Sequence, residues 1–299
     1  MKIAALLPAL LPLAALAQAP SANTGLQATI ARTAQGFAGT VGVVVRGVED
    51  PADSAQLNAH AHLPMQSVYK FPLALAVLHQ VDQGRLRLSQ KIRLRPADLL
   101  PDTWSPLRER YPQGNVAVRL GEILRYTVAE SDNNGCDILF RLLGGTTPVN
   151  NYVQQLGGIA MQIVATEAEM HRRADAQYQN WGTPAALDRL LRGFYRGQYL
   201  SPTSRQFLWE LLTSGHTGLR RLRAGVPAGT EVAHKTGSSG TNATGLTAAT
   251  NDVGIITLPT GKHLVVVVFV TDATAPEATC EALIAALGRT AWNYFAAKP

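Results

Sequence analysis

Cysteine is nearly absent: the 299 residues include only Cys136 and Cys280. A pair so few and so far apart forms neither a metal-ligand cluster nor a disulfide framework. Buried free thiols are the commoner state for such a pair, although an oxidising compartment leaves a single bridge open. Histidine is also sparse. The seven are scattered, and His60 and His62 form the only close pair, with no third ligand at a suitable spacing. No metal site and no other cofactor is expected. Charged residues make up only 16% of the chain against 46% hydrophobic, which excludes a disordered chain. Basic residues outnumber acidic ones to give a net charge of +6, but the longest cluster is Arg220, Arg221 and Arg223. Nucleic acid is therefore not an expected partner. Beyond the first residues no apolar run reaches the ~20 positions a membrane helix needs, since Leu264 to Val270 is strand-length, and no membrane anchor is expected.

The pattern that is present begins with a leader. Lys2, the apolar stretch Ile3 to Leu16 and the small-x-small triplet Ala17-Gln18-Ala19 read as a secretory signal over residues 1–19. The reading implies cleavage near Ala19 and a periplasmic or secreted protein. Leu26 to Thr33 reads as a helix and Gly39 to Arg46 as a buried strand. Apolar spacing then predicts helices at Phe71 to Val81, Val118 to Val128, Ile138 to Leu143, Val149 to Leu156, Pro184 to Phe194 and Thr203 to Leu212. Strands follow at Glu231 to Lys235, Asn251 to Leu258 and His263 to Thr271, and Glu277 to Phe295 closes as a helix. This order predicts an α+β fold: an antiparallel sheet built from both chain ends and flanked by helices, with an inserted all-α domain. The expected domain boundaries are 20–66 with 215–299 for the sheet, and 67–214 for the helical insertion.

Three short motifs carry chemistry. Ser67 and Lys70 lie three residues apart at a helix start, one turn apart on one face, where the positive end of the dipole favours an oxyanion. A desolvated lysine there accepts the serine proton. Ser131-Asp132-Asn133 follows 64 residues after Ser67, and Lys235-Thr236-Gly237 follows 104 residues after Ser131. Each motif alone is common, but the ordered set is not. Together they resemble the signature of class A serine β-lactamases and penicillin-binding proteins.

The resemblance to a class A β-lactamase covers essentially the whole chain after the leader. It implies that Ser67 is acylated, that Lys70 is its proton partner and that Ser131 passes a proton to the β-lactam nitrogen. Asn133 would bind the substrate's amide side chain, Lys235 and Thr236 its carboxylate, and the N–H groups of Ser67 and Ser238 the oxyanion, with Gly237 permitting close approach. Glu167, in Thr166-Glu167-Ala168-Glu169-Met170-His171, would activate the deacylating water from an omega loop at about 161–182, with His171 where the family has an asparagine. Arg221 would support the carboxylate site, with Arg220 and Arg223 as competitors, and Trp104 would wall the entrance. Asp137 and Asn180 stand exchanged relative to the usual family pattern, and Gln66 precedes the nucleophile. That combination resembles the extended-spectrum subgroup, in which an Asp137–Asn180 pairing would refold the loop. A β-lactam antibiotic is the implied substrate and a monomer the expected state. A D,D-peptidase and a non-hydrolysing β-lactam sensor share the three motifs and stay open as alternatives.

Overall fold

The structure is a computed structural model and describes residues 24–156 and 160–298. The leader read over residues 1–19 lies outside the described residues. Along the chain, α1 (Thr24–Ala34) precedes β1 (Thr40–Gly47) and β2 (Ser54–Leu57), and β3 (Leu63–Pro64) enters α2 (Lys70–Asp82) through a 3-10 turn at Gln66–Tyr69. Next come β4 (Lys91–Leu94), α3 (Pro106–Arg110), β5 (Val116–Arg119), α4 (Leu120–Ala129), α5 (Asn133–Leu143) and α6 (Thr146–Gln155). β6 (Met161–Gln162), α7 (Glu167–Arg172) and β7 (Trp181–Gly182) lead to α8 (Pro184–Tyr195) and α9 (Pro202–Thr213). The chain then returns through β8 (Val232–Ser238), β9 (Thr247–Thr257), β10 (His263–Ala273) and α10 (Glu277–Ala296).

The main sheet has five strands in the order β2-β1-β10-β9-β8, and all its pairings are antiparallel. β1 docks along β10, with Val43 opposite Val268 and Val45 opposite Val266. Successive residues of a strand point to opposite faces, so this valine-rich sequence supplies two cores at once. Val44, Val265, Val267 and Phe269 pack toward α2 and α8, while Val43, Val45, Val266 and Val268 pack toward α1 and α10. Both faces are covered, which is why β10 shows an unbroken apolar run instead of alternation. α2 is buried on every side from Lys70 to Leu78 and forms the axis of the helical block.

Several expected boundaries moved: α6 begins at Thr146 and β9 at Thr247, earlier than their apolar patterns, and β8 runs on to Ser238. Val116–Arg119 is a strand paired with Lys91–Leu94, so α4 begins at Leu120 and not at Val118. α5 begins at Asn133, five residues before the apolar pattern, because the Asp132 carboxylate accepts the Gly135 N–H and caps it. Cys136 and Cys280 are both free and buried. Among the described residues no helix is long and apolar enough to cross a membrane.

Candidate active site

The three motifs and the Glu167 segment meet in a cleft between β8 and the helical block. Ser67 lies in the 3-10 turn that opens α2 and lines two adjoining cavities of about 610 and 250 Å³. Lys70, wholly buried one turn later, donates to the Ser131 carbonyl at 2.8 Å and to Asn133 Oδ1 at 2.5 Å. Its Nζ also lies 3.0 Å from Glu167 Oε1, forming an ion pair. Across the cleft Lys235 Nζ donates to Ser131 Oγ at 2.9 Å and to the Thr236 carbonyl at 3.0 Å. Burial, reinforced by the charge of Lys70, pushes the Lys235 ammonium well below its ordinary pKa. Ser131 is thus gripped by both lysines, its carbonyl by one and its hydroxyl by the other.

Strained backbone holds two of these turns. Gln66 and Ser131 have φ of 48° and 58°, in the left-handed region that costs a non-glycine residue about 1–3 kcal/mol. The surroundings over-determine both. Asn251 Nδ2 donates to the Pro64 and Met65 carbonyls and the Met65 N–H donates to the Asn180 carbonyl, while the Gln66 side chain donates to Gln177 Oε1 at 2.6 Å. For Ser131, the neighbouring Asp132 is wholly buried and accepts from the Leu107 N–H and Ser105 Oγ. Asn251, Leu107 and Ser105 carry no sequence signal for this role, since they lie far from these turns along the chain.

β6 and β7 pair with each other and close the neck of the segment carrying Glu167. Within it Thr166 and Glu169 form a capping box: the Glu169 carboxylate accepts the Thr166 N–H at 2.7 Å and Thr166 Oγ1 at 2.9 Å. Glu169 is therefore engaged in capping the start of its own helix, while Glu167 turns into the cleft. No protein hydrogen bond reaches Glu167 Oε1.

The expected Asp137–Asn180 pairing is not formed. Asp137 instead accepts the N–H groups of Glu167 at 2.8 Å and Ala168 at 2.9 Å, capping α7 from α5. Asn180 accepts the N–H groups of Val164 and Ala165 and donates to the Ala165 carbonyl. Each side chain grips loop backbone, at opposite ends of the Thr166–Glu167 turn, because orphan amides of a helix start and a tight turn are the stronger demand there. Burial raises the Asp137 carboxyl from 3.8 to about 6. The folded chain then binds that proton more tightly than the unfolded chain, so this group's contribution to stability grows as pH falls from about 6 to about 4. Urea unfolding at pH 7 and pH 4.5 should show the stability gap between wild type and Asp137→Asn shifting in favour of the wild type toward acid, by about 2 kcal/mol. A shift the other way would mean that the loop amides, and not burial, dominate the carboxyl.

The remaining expected residues fall around the cleft. Thr236 Oγ1 and Thr217 Oγ1 are 2.7 Å apart. Arg221, only 3% exposed, donates to the Gly237 and Asn251 carbonyls and to Ser238 Oγ at 2.7 Å, and pairs with Glu281 at 3.2 Å. It braces the end of β8 and lines the smaller cavity; Arg223 points instead to His234. Trp104 is 57% exposed at the mouth of that cavity, its indole N–H on the Glu130 carbonyl. Asn133 Nδ2 donates to Thr103 Oγ1 at 2.7 Å, which fixes the amide's orientation. His171 is exposed on the larger cavity, beside Met170. Gly237 lets β8 lie against the nucleophile's turn: a Cβ there would overlap the Met65 carbonyl oxygen and come within 3.3 Å of the Ser67 nitrogen.

Comparison with known proteins bears on the family and the fold. The profile of the Beta-lactamase enzyme family matches residues 25–295. The chain is 45% identical over 245 residues to the β-lactamase VEB-1 of Pseudomonas aeruginosa, covering 81% of each protein. The crystal structure of the TLA-1 extended-spectrum β-lactamase superposes with a TM-score of 0.89 at 46% identity, over 91% of this chain and 98% of that one. A representative class A β-lactamase from Bacteroides cellulosilyticus superposes with a TM-score of 0.87 at 34% identity, over 91% and 98% of the two chains. The family match over most of the chain and the close superposition on class A structures place the chain in the β-lactamase enzyme family, in its class A branch.

Proposed function

We propose that the β-lactam ring is opened in two steps on Ser67. In the first, Lys70 passes a proton to its ion-pair partner Glu167, and the neutral amine takes the proton of Ser67 Oγ as that oxygen attacks the lactam carbonyl, with the N–H groups of Ser67 and Ser238 stabilising the oxyanion. Collapse breaks the ring C–N bond, the nitrogen takes a proton from Lys70 through Ser131, and Lys70 recovers its proton from Glu167, which is left ionised. In the second, a water loses its proton to Glu167 and attacks the ester, returning Ser67 to its free form. The observation that carries this reading is Glu167 Oε1, held 3.0 Å from Lys70 yet without a protein hydrogen bond. A sensor or a D,D-peptidase does not need a carboxylate in that place. Lys235 and Thr236 fit the substrate carboxylate, with Arg221 and Gly237 holding the strand, and Asn133 fits the amide side chain. Trp104 walls the entrance, and His171 borders the space where the water would sit.

The cavity of about 610 Å³ between the α7 segment and the residues after β8 supports a bulky cephalosporin as substrate, and the TLA-1 relative is itself an extended-spectrum β-lactamase. The apolar leader supports export to the periplasm or the medium. Purified protein should turn over a chromogenic cephalosporin many times per active site, unchanged by EDTA, and Ser67→Ala should not. One product per enzyme molecule, or loss of activity in EDTA restored by zinc, would remove the reading.

A further inference from the structure

Behind β8, on the face turned away from Lys235, lies a buried polar chain that the two-step reaction does not use. His234 Nδ1 is 2.9 and 3.1 Å from the two carboxylate oxygens of Asp252, and Arg223 Nε donates to His234 Nε2 at 3.0 Å. Asp252 is wholly buried and His234 is 4% exposed. A guanidinium only donates, so Nε2 must be the acceptor and Nδ1 must bear the proton: the ring is a neutral imidazole between a carboxylate and a guanidinium. The chain continues at both ends. Asp252 also accepts the Leu222 N–H at 3.1 Å, and Arg223 donates to the Thr213 and Val232 carbonyls. Room for the ring comes from Gly254, opposite His234 in the sheet, where a Cβ would lie 2.7 Å from His234 Cβ.

The network ties together the pieces whose spacing sets the substrate-carboxylate end of the cleft. Asp252 sits directly opposite Thr236 in the β8–β9 register. Thr213 ends α9, four residues before the Thr217 that bonds Thr236. Leu222 follows Arg221, which braces Gly237 and Ser238. The Asp252 charge also offsets part of the downward push of burial and Lys70 on the Lys235 ammonium, and so favours the charged form.

We infer that His234 is a positioning residue for this site: by anchoring Asp252 it fixes β8 so that Lys235 and Thr236 present one geometry to the substrate carboxylate. The inference rests on the reading of Lys235 and Thr236 as the carboxylate pair. Asparagine at 234 offers an amide N–H at about the place of Nδ1, while glutamine offers an amide oxygen at about the place of Nε2. The readout is the ratio of kcat/KM for a cephalosporin to that for its carboxylate methyl ester, normalised to active sites titrated at Ser67. That ratio isolates carboxylate recognition from the amount of folded protein.

His234→Asn should keep most of the wild-type ratio. His234→Gln, which leaves Asp252 without its side-chain donor, should lose about tenfold of it, mainly through KM for the free acid, since a misplacement well under 1 Å suffices for that. Lys235→Gln reports on the underlying reading and should collapse the ratio. A collapsed ratio in Lys235→Gln with an unchanged one in His234→Gln would overturn the role of His234 alone. An unchanged ratio in Lys235→Gln would overturn the carboxylate reading and the inference with it.

Discussion

Glu167→Ala should accumulate a covalent adduct on Ser67, visible by intact mass within the mixing time of a cephalosporin, while turnover falls by about 10²–10⁴-fold. The two halves of the reaction ask for different groups. Acylation needs a proton acceptor beside Ser67, and Lys70, at the first turn of α2, remains in the variant. Hydrolysis of the ester needs a carboxylate that faces the same space and is not taken up by hydrogen bonds from the loop backbone. Glu169 fails that condition because both the N–H and the hydroxyl of Thr166 are bound to it, which also holds its carboxyl below the usual range. Asp137 fails it because two loop amides occupy it. Removal of Glu167 also takes away the carboxylate partner of Lys70, so some slowing of acylation is expected beside the much larger loss in hydrolysis. Ser67→Ala should show neither adduct nor turnover. Wild-type turnover in Glu167→Ala would disprove the assignment of the base.

Gly237→Ala should lower kcat/KM by about 10²-fold, with little loss of secondary structure. The methyl group would overlap a backbone carbonyl, that of Met65, and press on Gln66 Cβ at 3.1 Å. Neither neighbour is free to give way. Met65 lies between the hydrogen bonds from Asn251 and to Asn180, and Gln66 is already in a left-handed conformation. Relief must therefore come from β8, which would move away from the nucleophile and take the Ser238 N–H with it. An oxyanion donor displaced by about 1 Å forfeits most of its effect, since such groups act only within a narrow distance range. Circular dichroism and a burst of acylation would separate this outcome from unfolding. Activity within a factor of three of wild type would mean that the strand has more freedom than its bracing by Arg221 implies.

Much of the site was legible because its chemistry resides in short motifs. Ser67 with Lys70, the Ser131 turn, Lys235 to Gly237 and Glu167 all lie where their order along the chain suggested, and the structure brings them together. The sheet was legible where burial on both faces gives a dense β-branched run, as in Thr40–Gly47 and His263–Ala273. Short strands were not: Ser54–Leu57 and the Lys91–Leu94 and Val116–Arg119 ribbon have too few residues for a period to emerge. Side chains that act across long stretches of sequence were equally silent. His234 and Asp252 read as polar interruptions of strands until the register places them side by side. The Tyr178 hydroxyl, which donates to Asp272 and fastens the Glu167 segment to the end of β10, joins residues 94 apart. The Asp137–Asn180 pairing came from resemblance and not from a local demand, and the unsatisfied amides of α7 and the adjoining turn decided otherwise.

The pairing of β1 with β10 also governs when this protein can exist as a folded object. The strand made near the start of synthesis finds its partner only after more than 200 further residues have been added. Closing so large a loop is slow, and contacts this remote dominate the folding time of a β-rich core. The helical block, whose neighbours are close in sequence, can condense while the first strand has only the short β2 on one side and nothing on the other. Until β10 emerges, β1 carries an exposed valine-rich edge, the kind of surface on which nascent chains associate with one another or are captured by chaperones. Truncation before His263 would therefore leave β1 with only the four-residue β2 beside it and the centre of the sheet missing.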